Sequence, residues 1–215
     1  MRAGGLVQLP GGALLKVAGI GAEQTLAAAE LLIAQGATAL LSWGSGGGLQ
    51  PKLLAGTLVL PRTIIDLQER IFLTDEAWHD RLFGRLTSYF AVHTEPLAQS
   101  PTILKNPLEK HNFFEQTAAI AVDMESGSLA EVASRANLPF MAIRAIVDTS
   151  DMAIPQSGLT AIDEHGGLRP FHLLASLLRR PADLFLLNQL RRNFTAARTS
   201  LTAVARLVGD DFLAF

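Results

Sequence analysis

Phe140-Met141-Ala142-Ile143-Arg144-Ala145-Ile146-Val147 is an apolar run broken by one arginine and followed at once by Asp148. A strand with one wet face alternates apolar and polar residues. A run that is apolar at both parities reads instead as a strand covered on both faces, as in parallel sheets clothed by helices. Asn137-Leu138-Pro139 separates this run from a helical pattern over about residues 125–136, where Leu129, Val132 and Ala136 share a face. Residues 120–122 lead into that helix as another short strand.

The same alternation recurs upstream. Residues 14–18 read as a short strand ending at Gly19-Ile20-Gly21, and a helix follows with Leu26, Ala29 and Ile33 in register until Gly36 stops it. Residues 39–43 are a second buried strand, with Gly44-Ser45-Gly46-Gly47-Gly48 as a glycine-rich turn at its end, and residues 58–61 are a third. Between residues 66 and 112, Pro96, Pro101 and Pro107 break the chain into loops and short elements. Strands alternating with helices predict an α/β fold: a single domain over residues 1–215, with a mixed, mostly parallel twisted sheet flanked by helices.

A helical C-terminal extension is expected over about residues 171–208. Its first piece, residues 171–179, ends before Pro181, and a longer helix over about residues 183–208 carries Leu187, Leu190, Phe194, Ala197, Leu201, Val204 and Val208 as one stripe. That stripe predicts docking on the chain's own domain or on a second subunit. From His165 onward there are seven arginines against three aspartates, so the extension is also locally basic and suits peripheral contact with a membrane surface.

Composition bounds the rest. The 215 residues suit one domain. With 49% hydrophobic residues, a net charge of -2 and no cysteine, the chain fits a well-buried core, carries no nucleic-acid signature, and forms neither disulfides nor thiolate metal sites. No apolar run reaches the roughly 18 residues of a membrane span and no signal-type core opens the chain, which predicts a cytoplasmic protein. His79, His93, His111, His165 and His172 lack close ligand spacing and read as surface or satisfied polar residues, so no metal is implied.

Acids inside apolar runs need a reason, because a carboxylate costs several kcal/mol to desolvate unless it is paired, hydrogen-bonded or neutralised. Val122-Asp123-Met124-Glu125 and Asp148 pose that problem. Glu125 at a helix start is explained by the helix dipole alone, and Asp148 at a strand end has Thr149-Ser150-Asp151 beside it as caps. Joint occurrence points further. A glycine-rich strand end, Met-Glu at a second and Arg-x-x-x-Asp at a third would converge on one edge of the sheet, where open α/β folds bind ligands.

Gly19-Ile20-Gly21, Ser42-Trp43-Gly44-Ser45-Gly46-Gly47-Gly48-Leu49, Gly56-Thr57-Leu58-Val59-Leu60-Pro61, Val122-Asp123-Met124-Glu125 and Arg144-Ala145-Ile146-Val147-Asp148 occur in one order over roughly residues 14–152. This arrangement resembles the nucleoside phosphorylase and nucleosidase superfamily, which includes the methylthioadenosine/S-adenosylhomocysteine nucleosidases. Val-Asp-Met-Glu-Ser at 122–126, the continuation Asp148-Thr149-Ser150-Asp151-Met152-Ala153-Ile154-Pro155, and the tail Leu168-Arg169-Pro170 with Ser176-Leu177-Leu178-Arg179-Arg180-Pro181 look most like its hopanoid-associated branch.

The resemblance implies cleavage of the N-glycosidic bond of a purine nucleoside through a ribosyl cation-like transition state. On it, Asp148 is the catalytic acid on the leaving base, Glu125 the ribose ligand, and Met124 the floor under the sugar. Ser45, Gly44 and Gly46 face the nucleophile, Thr102 and Ile103 fall in the base-stacking segment, and Arg144 supports the neighbouring carboxylates. A general acid must hold a proton near neutral pH, which partial burial favours. No cofactor is implied, with phosphate as the co-substrate where phosphate rather than water is the nucleophile. The implied partner is a small nucleoside, lipid-linked in the hopanoid branch, and the implied assembly a homo-oligomer.

Two departures keep alternatives open. Residues 4–12 read as a hairpin, leaving no equivalent of the family's first strand and its nucleophile-handling residue, which would open one edge of the sheet. Nor does an arginine precede the Ser45 turn, as it does in bacterial purine phosphorylases. A natural start further upstream, a substitute group, or a nucleoside-binding protein without efficient turnover would each account for this. A nucleosidase of small methylthioadenosine-type substrates is the other alternative.

Overall fold

The computed structural model describes residues 5–9, 11–19, 21–155 and 183–209; the helix expected over 171–179, the tail motifs from Leu168 to Pro181, and His165 and His172 lie outside them. Two strands, β1 (Leu6–Gln8) and β2 (Leu14–Lys16), form an antiparallel hairpin of their own. Helix α1 (Ala22–Ala34) follows, then β3 (Leu40–Gly48), β4 (Leu58–Val59), β5 (Thr63–Ile65), β6 (Ile71–Leu73), α2 (Glu76–Leu86), β7 (Val92–His93) and β8 (Leu97–Gln99). The chain continues through α3 (Pro107–Thr117), β9 (Ala121–Asp123), α4 (Ser126–Arg135) and β10 (Phe140–Asp148), and α5 (Asp183–Val208) closes it.

Strands β3 to β10 make one mixed sheet in the order β6-β5-β8-β9-β3-β10-β4-β7. Its pairings β3/β10, β8/β9, β5/β8 and β4/β7 are parallel, and β3/β9, β4/β10 and β5/β6 are antiparallel. The long run at 140–148 is buried throughout, as its composition requires. Strand geometry sends alternate side chains to opposite faces. Met141, Ile143, Ala145 and Val147 therefore join Trp78, Leu82 and Leu86 of α2 and Ala197, Val204 and Val208 of α5, while Ala142 and Ile146 join Ala29 of α1 and Leu129, Val132 and Ala133 of α4.

Three sequence expectations change. The glycines at 44–48 are not a turn after the strand: β3 runs through Gly48, paired with β10 on one side and, at Gly47 and Gly48, with β9 on the other. The strand at 14–16 pairs with β1 rather than entering the main sheet, so among the described residues 40–46 of β3 pair with β10 alone. The stretch 66–112 holds two regular helices, α2 capped by Asp75, whose carboxylate accepts from Trp78 N, and α3 capped by Asn106, which accepts from Glu109 N. The stripe on α5 docks on the chain's own sheet through Ala197, Val204 and Val208, while Leu184, Phe185 and Phe194 nearer its start are exposed.

Candidate functional site

Gly47 is the junction of the site. Its Cα is paired with Val122 of β9 on one side and with Asp148 of β10 on the other. A Cβ at Gly47 would lie 3.0 Å from Asp148 Oδ2 and 3.1 Å from Val122 Cγ1, and one at Gly46 would lie 2.9 Å from the Val122 carbonyl oxygen. The glycines are thus needed for close approach of two acid-bearing strands rather than for a free turn. Because β9 runs antiparallel to β3, Asp123 and the Met124-Glu125 segment that follows it run back from Gly47 toward the start of β3, while Asp148 stands against Gly47 itself. A register shift between Ile146 and Asp148 then sets the acid directly against Gly47.

Asp123, 5% exposed, has a clear reason to be buried. Arg144, 3% exposed, donates from Nε to Asp123 Oδ2 at 2.7 Å and from one terminal nitrogen to Ser42 Oγ at 2.6 Å and Ser126 Oγ at 2.9 Å. Ser126 Oγ also donates to Asp123 Oδ2, and Asp123 Oδ1 accepts from the backbone N–H groups of Glu125 (3.2 Å) and Ser126 (3.0 Å). Arg144 thereby fixes the carboxylate that caps α4, and the cap fixes Glu125. The support expected from Arg144 goes to Asp123, two residues before Glu125.

Glu125, half-buried at the N-cap of α4, accepts from Gly21 N (3.3 Å) at Oε1 and from Met124 N (3.2 Å) at Oε2. Gly21, the N-cap residue of α1, has φ 99°, a conformation open to glycine, and its own amide meets the carboxylate. Burial pushes the Glu125 carboxyl above its ordinary range, the Asp123 charge adds to the push, and Arg144 and the two backbone N–H groups oppose it.

Asp148, 8% exposed, has a buried cation beside it. Lys110 of α3, 0% exposed, reaches its Oδ2 at 2.8 Å and spends its other donors on the carbonyls of Thr149 (2.6 Å) and Met152 (3.0 Å). Nothing in Glu109-Lys110-His111-Asn112 signals this from sequence, because a lysine on a polar helix reads as a solvated face. A second tie, Ile154 N donating to Lys105 O at 2.8 Å, laces the segment after Asp148 to the start of the same helix.

The remaining predicted residues divide. Exposed Thr102 and half-buried Ile103 follow β8 in a turn closed by Ser100 Oγ donating to Thr102 O at 2.7 Å, and Ser100 N donates to Asp123 O at 2.8 Å, so the turn abuts the Met124-Glu125 segment. Gly44 and Gly46 face Arg144, whereas exposed Ser45 borders a different space. With Leu41, Trp43, Phe194 and Leu201 it lines a cavity of about 1390 Å³ between the hairpin, α1, β3 and α5. Among the described residues no group of three or more His, Cys, Asp or Glu side chains could hold a metal, and His79 is a buried histidine with Nε2 2.9 Å from Leu60 O. No described helix is long and apolar enough to cross a membrane.

No curated protein matches the sequence. Among solved structures, a candidate 5′-methylthioadenosine/S-adenosylhomocysteine nucleosidase from Francisella philomiragia gives a TM-score of 0.65 at 18% identity, over 97% of this chain and 82% of that one. The Neisseria meningitidis 5′-methylthioadenosine/S-adenosylhomocysteine nucleosidase in complex with methylthio-immucillin-A gives 0.60 at 17%, over 88% and 80%. That from Colwellia psychrerythraea in complex with adenine gives 0.59 at 20%, over 67% and 69%. At these identities the likeness is one of fold. The sequence profile of the phosphorylase superfamily matches residues 10–178, and a match over that much of the chain makes this protein a member of the phosphorylase superfamily.

Proposed function

We propose that the protein cleaves the N-glycosidic bond of a purine nucleoside, with Asp148 donating a proton to the leaving base and Glu125 holding the ribose hydroxyls. The observation that carries this reading is the junction at Gly47, which pairs with Asp148 on one side and, on the other, with Val122, three residues before half-buried Glu125. In the reaction the electrons of the C–N bond leave with the base, which takes its proton from Asp148, and water or phosphate captures the ribosyl cation. A carboxylate at Glu125 stabilises the positive charge that develops on the sugar. Met124 packs under the ribose, and Thr102 and Ile103 border the base.

On the hopanoid-branch resemblance the nucleoside is adenosine joined to an apolar lipid. The cavity beside Ser45, walled by Leu41, Trp43, Phe194 and Leu201, gives such a substituent a place to lie, and the exposed Leu184 and Phe185 on the basic helix α5 suit peripheral contact with an anionic membrane. The fold shared with nucleosidases crystallised with adenine and methylthio-immucillin-A favours a second reading, a nucleosidase of small methylthioadenosine-type substrates. Incubation with 5′-methylthioadenosine and with a lipid-linked adenosine, each with and without phosphate, tests both. Free adenine is expected, and Asp148→Asn should lower its release by at least about 10²-fold. Adenine from the small substrate alone would reject the lipid reading. Tight nucleoside binding without adenine would identify a binding protein instead.

A further inference from the structure

We propose that Lys110 is a positioning residue for Asp148: its ammonium fixes one carboxyl oxygen and the turn behind it, so that the acidic proton is carried by the other oxygen, the one left for the base. This inference rests on the reading of Asp148 as the acid on the leaving purine.

An ammonium has three hydrogens and no acceptor capacity. Lys110 donates to Thr149 O and Met152 O at 2.6 and 3.0 Å and forms an ion pair with Asp148 Oδ2 at 2.8 Å, which accounts for a charged side chain with 0% exposure. The base of the lysine is equally fixed. Asn106 caps α3 by accepting from Glu109 N at 2.9 Å, and Glu109 accepts in return from Asn106 Nδ2 at 2.7 Å and Lys105 N at 2.6 Å, so the turn that presents Lys110 is locked. With Oδ2 always facing a donor that cannot accept, a proton on Asp148 can reside only on Oδ1. Among the described residues Oδ1 has no hydrogen-bond partner, and it lies beside Gly47, where a Cβ would stand 3.2 Å from it. Proton transfer then runs from Oδ1 to the purine nitrogen, and the carboxylate left behind is already paired with a cation. A buried ion pair built only for stability would need no such placement, and apolar residues of similar volume would serve the fold as well.

Lys110→Met and Lys110→Gln test the inference through kcat and KM for adenine release from 5′-methylthioadenosine across pH 5 to 9, with thermal unfolding recorded alongside. Both variants should lose about 10²-fold in kcat while KM changes far less, as expected for a misplaced reacting group. In the Asp148→Asn background, Lys110→Gln should add almost nothing to the loss, because the two act as a unit. Folded variants with undiminished kcat, or losses that simply add to those of Asp148→Asn, would overturn the proposal. If neither variant folds, Lys110 belongs to the fold alone and the proposal is equally overturned. A wild-type chain that releases no adenine would remove the reading of Asp148 first and this inference with it, which separates the two failures.

Discussion

Glu125 shows how one side chain couples the site to stability. Its folded-state carboxyl titrates above the ordinary glutamate value because burial, and then the Asp123 charge, penalise the ionised form. In the window above that ordinary value the folded state binds more protons than the unfolded one, so the contribution of Glu125 to stability is present at low pH and is lost as pH rises through the raised value. Glu125→Gln, which cannot ionise, should therefore gain in Tm relative to the wild type as pH is raised from about 4 to 8. The same substitution should lower adenine release by about 10²-fold through loss of charge beside the sugar. A Tm difference that is flat across this range would show that the burial at Glu125 carries no such penalty. Asp123, two residues earlier, is the contrasting case, since Arg144 pairs with it at 2.7 Å and makes its burial sustainable.

At the scale of elements, legibility followed the length and regularity of the pattern. Helices α1, α4 and α5 and strand β10 were readable because each repeats a period over many residues. The strand at 40–48 was half readable: its apolar start is a strand signal, but Gly44-Ser45-Gly46-Gly47-Gly48 has weak strand propensity, and its extension comes from partners on β9 and β10 that lie more than seventy residues away in sequence. Helix α2 carried a signal that went unread, Asp75 as a cap followed by Trp78, Leu82 and Leu86 on one face. Lys110 carried none, because its partners are a side chain and two carbonyls beyond the next strand but one. Close approach also constrains α4. A Cβ at Gly127 would sit 2.7 Å from Asp66 Cα and 2.7 Å from Gln99 Oε1, so Gly127→Ala must push the helix off β5 and β8. Chemical unfolding should register a loss of about 1–3 kcal/mol, the usual cost of overpacking. An unchanged midpoint would mean that the helix start shifts freely.

For the whole molecule, the terminal helix has two duties on different stretches. Ala197, Val204 and Val208 complete the core beneath β10, and Ser200 Oγ donates to Gly56 O at 2.8 Å, so removing the helix would uncover the sheet. Leu184 and Phe185, 62% and 75% exposed, are free of that duty. Replacing both with serine should leave thermal unfolding nearly unchanged while weakening sedimentation with anionic liposomes, if the helix touches membranes as proposed. Equal sedimentation of both proteins would assign these side chains no lipid role. The residues placed a hairpin within 4–12 and a separate strand at 14–18, whereas β1 pairs with the 14–16 strand itself; the consequence is visible in β3, paired on one side only over residues 40–46 among the described residues.

The lacing between α3 and the segment after β10 has a dynamic consequence. Ile154 N is bound to Lys105 O, and Lys110 holds Thr149 O and Met152 O, so residues 149–154 cannot lift away without leaving the buried ammonium on Asp148 alone with two donors unmet, at a cost of about 1–3 kcal/mol for each. A surface turn would ordinarily fluctuate alone. Here it should open only together with the first turns of α3, as one cooperative unit. Amide hydrogen exchange should then show residues 107–112 and 149–154 sharing a single opening free energy, and Lys110→Gln should split that common value in two.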